Sequence, residues 1–343
     1  MTKVSVSLIT YNHENFVQQA IRSVLNQEVS FDYEIVIGED CSTDRTREIV
    51  LEFQKRYPGK IRLLERESNV GMQENFRTTL EACTGEYVAL LDGDDYWTST
   101  CKLQRQVDFL DSNKQCAMCF HSVVSMPYPE GEPTLIFPER KYRDKRCTTE
   151  DLLVENFIPT CSVMFRRGLF GNLPDWVSTL GFSDWPLHVL NAEAGAIGYL
   201  SEIMGVYRIH SGGAWSGRAS NRRNADILRF YEGIDAQLNF KYHNLIKRQA
   251  SPLLFPLMAL KLKGVSNPGL YFFRNTLMHP YIRVLQQLDL FGIVFFPRIR
   301  HTLTRIAKYW LLSMNVRRTA REKSQYPREA TSAAGPSATI AES

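Results

Sequence analysis

Tyr87-Val-Ala-Leu-Leu-Asp92-Gly93-Asp94-Asp95 runs an uninterrupted apolar stretch straight into three carboxylates. Five apolar residues in a row fit a strand covered on both faces, the kind found at the centre of a parallel sheet. Open parallel sheets bind ligands beyond the carboxyl ends of their strands, which is where these aspartates would stand. Three carboxylates within four residues repel one another. A hard divalent cation removes that repulsion and can hold a diphosphate at the same time. An Asp-x-Asp pair alone is common in turns, and its place after a central strand is what gives it weight. Gly93 permits a tight backbone between the acids.

The sequence on the amino-terminal side repeats the strand pattern. Val4–Thr10 is β-rich, and Phe16, Val17, Ala20, Ile21, Val24 and Leu25 then recur at helical spacing. Tyr33–Gly38 reads as a second strand. Ser42, Thr43 and Asp44 read as caps opening a helix with Ile49, Val50, Phe53 and Tyr57 on its apolar face, stopped by Pro58-Gly59. Ile61–Leu64 is a third strand, followed by a helix carrying Phe76, Leu80 and Cys83. This alternation predicts βαβ units and a mostly parallel sheet, so the fold class is α/β. The first strand ends in Thr10-Tyr11-Asn12-His13 and the second in Glu39-Asp40, so three strand ends bring polar or acidic groups to one edge. A nucleotide plus a metal fits that edge. Neither G-x-G-x-x-G nor G-x-x-x-x-G-K-[ST] is present, which argues against a dinucleotide fold and a P-loop NTPase.

The remaining chain is organised differently. At 343 residues, 44% hydrophobic and 23% charged, the composition excludes wholesale disorder, collagen and a polytopic membrane protein. The net charge of +4 conceals a split: of 41 Lys/Arg and 37 Asp/Glu, 19 and 7 fall in residues 221–343, leaving 22 and 30 before them. The reading divides the chain into a sheet domain over 1–220, a basic helical region over 221–323 and a disordered Ala/Ser/Pro-rich tail over 324–343. Leu303, Ile306, Trp310 and Met314 suit an amphipathic helix on an anionic membrane surface, or a face for packing or self-association. Seven cysteines at irregular spacing predict reduced thiols in the cytosol. Cys116-x-x-Cys119 lies in a predicted strand, where its odd spacing sends the thiols to opposite faces and excludes a shared metal.

Together these residues resemble the inverting GT-A glycosyltransferases of family 2. The pieces are Val4–Asn12, Ser23-Val-Leu-Asn-Gln27, Glu39–Asp44, Asn69-Val-Gly71 with Asn75, Gly85–Asp95, Ser183-Asp-Trp-Pro-Leu187 and Gly205-Val-Tyr-Arg-Ile-His210. They occur in the family's order over about residues 1–218. The resemblance implies a GT-A, Rossmann-like sheet flanked by helices, with a helical C-terminal extension. It implies that Thr10, Tyr11, Asn12, Glu39, Asp40, Asn75, Asp92, Gly93, His210 and Trp215 bind a nucleotide sugar, with Asp40 on the base and uracil the expected base. It places the metal, Mn²⁺ or Mg²⁺, on Asp94 and His210, and the catalytic base at Asp184. As a bare residue Asp184 also reads as a helix N-cap before Pro186, a role Ser183 fills equally well. The chain departs from the family pattern at Glu39, where Asp is commoner, at Cys41, where Gly is usual, and at Ser183. The first two would retune the base pocket, and the third leaves Asp184 as the single base candidate.

The implied function is metal-dependent, inverting transfer of a sugar from a nucleotide diphosphate to a hydroxyl of a glycan or lipid-linked acceptor. Its setting would be cell-surface polysaccharide biosynthesis at the inner face of the membrane, with no nucleic-acid partner. One alternative is a scaffold that keeps a nucleotide-sugar pocket without catalysis, against which the intact Asp92, Asp94 and Asp184 stand. A sugar nucleotidyltransferase is the other, but no basic residue follows the first strand before Arg22.

Overall fold

The computed structural model describes residues 2–129, 132, 135–138, 142, 146–215 and 217–262. The elements β1 (Val4–Thr10), α1 (Val17–Leu25), β2 (Tyr33–Glu39), α2 (Thr46–Arg56), β3 (Ile61–Leu64), α3 (Met72–Glu81) and β4 (Tyr87–Asp92) follow the expected alternation. The strands pair in the order β3-β2-β1-β4, all parallel, with Thr10 opposite Glu39 and Ile9 opposite Asp92. Chain order therefore reverses between β1 and β4, the switch point at which open sheets take up ligands.

Side-chain alternation divides β4 between two cores. Val88 and Leu90 join Phe76 of α3, whereas Tyr87, Ala89 and Leu91 join Val17, Ala20, Ile21 and Val24 of α1. A strand apolar on both faces is what this double covering demands.

The second half comprises β5 (Tyr96–Trp97), α4 (Lys102–Ser112), β6 (Cys116–Pro127), β7 (Leu135–Phe137), α5 (Thr149–Val154), β8 (Met164–Arg166), α6 (Asp184–Ala192), β9 (Ala196–Ile209), α7 (Ser220–Gln237) and α8 (His243–Leu262). Among the described residues the sheet continues as β4-β8-β6-β9-β5, with β7 on β6. Only β6 and β9 pair in parallel here; β4–β8, β6–β8, β6–β7 and β5–β9 are antiparallel. The expected parallel sheet is thus parallel in its first half and mixed in its second. Three-residue β8 enters antiparallel between β4 and β6, a pairing that needs no helical crossover.

Two local expectations are corrected. The β6–β9 register shifts between Cys116 and Met118, and this irregularity puts Cys116 and Cys119 in the same core cluster rather than on opposite faces. Both thiols are buried and free. Helix α2 starts at Thr46, and of the three expected caps only Asp44 serves it, accepting from the Thr46 N–H at 2.9 Å. The Ser42 hydroxyl and the Thr43 N–H bond instead to Asn12, tying the loop after β2 to the loop after β1.

The expected boundary at 220 lies at the start of α7, inside a compact unit that runs from Met1 to Lys261. Phe230, Tyr231 and Ile234 of α7 pack in the core with Trp185, whose ring stacks on Phe230 at 4.4 Å. The basic stretch beyond 262, including Leu303–Met314, and the tail over 324–343 lie outside the described residues. Among the described residues no helix is long and apolar enough to cross a membrane.

Candidate active site

The β1–β4 register brings Thr10 and the Asp92–Asp94 turn together. Gly93 makes this approach possible, because a Cβ there would collide with the Thr10 side chain and the His13 ring. The ring of His13 is thereby held between Thr10 Oγ1, 3.2 Å from its Nδ1, and Asp94 Oδ2, 3.8 Å from its Nε2. His210, just past the end of β9, reaches the same Asp94 oxygen with Nε2 at 3.0 Å. His13, for which the sequence assigned no role beyond its place at the end of the first strand, therefore belongs to the site.

Burial, with the negative charges of Asp94 and Asp184 nearby, holds the Asp92 carboxyl well above the usual carboxylate range. Burial alone would raise Asp94 too, but the hydrogen bond to His210 and the charges of His13 and His210 bring it below its ordinary value. By exposed area both aspartates are only partly buried, because their open side is the cavity itself. Ligand oxygens of Asp92, Asp94 and Asp95 lie within 4.8 Å of one another. Asp95 faces inward: it is buried, and its Oδ1 accepts the Arg208 N–H at 2.8 Å. That leaves Asp92 and Asp94 towards the cavity, with His210 behind Asp94. This oxygen-rich set fits Mn²⁺ or Mg²⁺, which would relieve the mutual repulsion of Asp92 and Asp94.

The β2 side of the site is a hydrogen-bonded loop clamp. Asp40 accepts the Val70 N–H at 2.7 Å and the Gly71 N–H at 3.0 Å, one on each carboxylate oxygen. Gly71 has φ +87°, a left-handed conformation that suits glycine at the entrance to α3. Asn75 donates to Gly38 O at 2.8 Å, and its Oδ1 is buried without a hydrogen-bond partner among the described residues. Glu39 is buried and accepts the Ser42 N–H at 2.7 Å. Cys41, at φ +57°, occupies the left-handed conformation for which the usual glycine is suited, and its sulfur lies towards Arg47 and Glu67.

Asp184 opens α6. It does not cap the helix: the N-cap residue is Ser183, whose side chain makes no capping bond. Asp184 Oδ2 instead accepts from Asn156 Nδ2 at 2.9 Å and faces Thr160 Oγ1 at 3.5 Å. His188, one turn along the helix, sits behind it with Nδ1 3.4 Å from Asn156 Oδ1. Burial pushes His188 down to about 4 against the pull of Asp184, so it stays neutral at pH 7.

One cavity of about 800 Å³ joins these parts, within the size range of small-molecule sites. Of the expected residues it is lined by Thr10, Tyr11, Asp40, Asn75, Asp92, Asp94, Asp184 and Trp215. Asn12, Glu39, Gly93 and His210 are not among its lining residues; Asn12 and Glu39 bond within the adjoining loops, and His210 bonds to Asp94. Nor is Cys41, so its departure from the family pattern does not touch the pocket directly. Sequence reasoning missed His13, Asn156, Thr160 and Arg208, all of which bear on the cavity.

Residues 5–173 match the model of "Glycosyl transferase family 2". The uncharacterized Rv1520 of Mycobacterium tuberculosis is 38% identical over 221 residues, 64% of this chain and 62% of its own length. The chain thus spans less than two thirds of that relative. TuaG of Bacillus subtilis, a protein named for teichuronic acid biosynthesis, is 30% identical over 203 residues, covering 55% of this chain and 77% of TuaG. Among solved structures, Staphylococcus aureus TarS 1–349 in complex with UDP-GlcNAc gives a TM-score of 0.54 at 19% identity, covering 85% and 80% of the two chains. The Pyrobaculum calidifontis mannosyltransferase PcManGT, in complex with GDP-Man and Mn²⁺, gives 0.53 at 17% identity, covering 84% and 85%. These two likenesses establish the shared α/β fold. The family model and TuaG place the sequence: the chain belongs to glycosyl transferase family 2.

Proposed function

We propose that this chain is a metal-dependent, inverting glycosyltransferase. It would move a sugar from a nucleotide diphosphate, a UDP-sugar by our reading, to a hydroxyl of a glycan or lipid-linked acceptor. The observation that carries this reading is the meeting of the Asp92–Asp94 turn and Asp184 in one cavity at the carboxyl edge of the sheet. TuaG's name supports a setting in surface polysaccharide synthesis, for which we propose the cytoplasm and the inner membrane face. The UDP-GlcNAc held by TarS, and the GDP-Man and Mn²⁺ held by PcManGT, support a nucleotide-sugar donor and a divalent ion.

Each residue has a task in this reading. Thr10, Tyr11, Asp40 and Asn75 shape the nucleotide end. Asp94, with Asp92 and His210, would hold Mn²⁺ or Mg²⁺, which when bound supplies positive charge against the leaving diphosphate. Asp184 takes the proton of the acceptor hydroxyl as its oxygen bonds to the anomeric carbon and the bond to the diphosphate breaks. In-line displacement of this kind inverts the anomeric centre. Asn156 and Thr160 fix the Asp184 carboxylate so that it faces the cavity.

Calorimetric titration of UDP, GDP and dTDP and of their sugars, with and without Mn²⁺, tests the reading. Expected is Mn²⁺-dependent UDP binding that Asp94→Ala weakens and Asp184→Asn leaves intact. Absence of binding by every nucleotide would overturn it; preference for GDP or dTDP would replace the donor only.

A further inference from the structure

The cavity has two chemically different sides. The strand ends supply Thr10, Asp92 and Asp94; around Asp184 the polar Glu155, Asn156, Thr160 and Ser183 stand next to a run of apolar residues. Ile158 lies between Asn156 and Thr160, the two residues that hold Asp184, and Phe182 precedes it by two positions. Trp215 packs edge-on against Phe182 at 5.5 Å. Ile227 of α7 and Leu253 of α8 continue the wall, both only partly buried, and Val154 at the end of α5 is 44% exposed. The polar residues can pair with the hydroxyls of the sugar at Asp184, but the apolar run beyond them offers no partners, and burying hydroxyls unpaired is unfavourable. It does suit hydrocarbon, and it begins at the residue that would receive the acceptor proton.

We propose that this wall is an acceptor subsite for a saccharide bearing an apolar aglycone, with the hydrocarbon next to the sugar lying against Ile158, Ile227 and Leu253. This rests on the glycosyltransferase reading of the same cavity and narrows it: the acceptor is an amphiphile and not a free glycan. The helices that follow β9 thereby select the substrate.

The test is calorimetry on the full chain with UDP and Mn²⁺ present, titrating octyl β-D-glucoside below its aggregation concentration against methyl β-D-glucoside. Each buried methylene is worth about fourfold in affinity, the equivalent of about 0.8 kcal/mol. The octyl compound should bind at least tenfold more tightly than the methyl one. The double variant Ile227→Gln/Leu253→Gln should remove most of that preference while leaving UDP affinity unchanged. Should that variant fail to fold, Val154→Gln at the exposed rim should still lower octyl affinity severalfold. Equal binding of the two glucosides, or a preference that survives these variants, overturns the proposal. Loss of UDP binding in the unaltered chain overturns the donor reading instead, and the alkyl preference is then still measured without UDP.

Discussion

Asn156 donates its side-chain amide to Asp184 Oδ2 at 2.9 Å, linking residues 28 positions apart. In the proposed reaction this carboxylate would receive a proton from an arriving hydroxyl and would need a fixed direction, which this bond, with Thr160 beside it, supplies. General-base action is worth about 10²–10⁴-fold. Asp184→Asn should therefore lower kcat by about that factor, with donor affinity within twofold of the original. Asn156→Ala should lower kcat by about tenfold, the cost of a misdirected base. Steady-state kinetics beside UDP calorimetry separates the two effects; a loss of UDP affinity in either variant would contradict the assigned roles.

His210 meets Asp94 Oδ2 at 3.0 Å and so acts on whatever that carboxylate holds. Groups that orient a metal ligand typically contribute about 10–100-fold in metal affinity. His210→Ala should weaken Mn²⁺ binding by that amount, read by electron paramagnetic resonance of the free ion. An unchanged affinity would remove His210 from the metal site.

Cys41 sits at φ +57°, where a side chain is disfavoured by about 1–2 kcal/mol. Glycine relieves that strain but gives back part of the gain through the freedom of the unfolded chain. Cys41→Gly should raise stability by about 0.5–1 kcal/mol, measured by urea unfolding, with UDP affinity unchanged.

Lys102 is fully buried on α4. Its amine stands 3.8 Å from the centre of the Trp97 ring and has no hydrogen-bond partner among the described residues. Burial pushes this amine down to about 7 from 10.5. Between those values the unfolded chain holds a proton that the folded one has released, so this residue's contribution to stability rises with pH across that window. Lys102→Met should be more stable at pH 7 by about 1–4 kcal/mol, the usual result of replacing buried charge with hydrocarbon. Its advantage should shrink towards pH 10, which urea unfolding at several pH values measures. An advantage that stays constant with pH would mean that the amine is not titrating.

The parallel half of the fold was legible because each of its strands is a short apolar run with a helix-period stretch behind it. Asp92, Asp94 and Asp184 were legible through the motifs around them. The mixed half was not, since the β6–β9 pairing is set by contacts between segments some 80 residues apart that leave no local periodicity. His13 carries no signal of its own: it reaches Asp94 only because Ile9 stands opposite Asp92. Asn156 sits in irregular chain and Thr160 opens a three-residue 3-10 turn, and neither carries a pattern. The parity argument for Cys116 and Cys119 failed for the same reason, because an irregularity in a strand is invisible to a rule of alternation.

His210 follows Asp94 by 116 residues, and β9 is the partner along nearly the whole length of β6. During synthesis at about 5–20 residues per second, the acidic turn therefore waits roughly 6–23 s for its histidine. For much of that time β6 is an uncovered edge, open to pairing with other nascent chains. A ribosomal pause or a premature stop before Ile209 would prolong this exposure, and chaperone demand should be greatest while that stretch is being made.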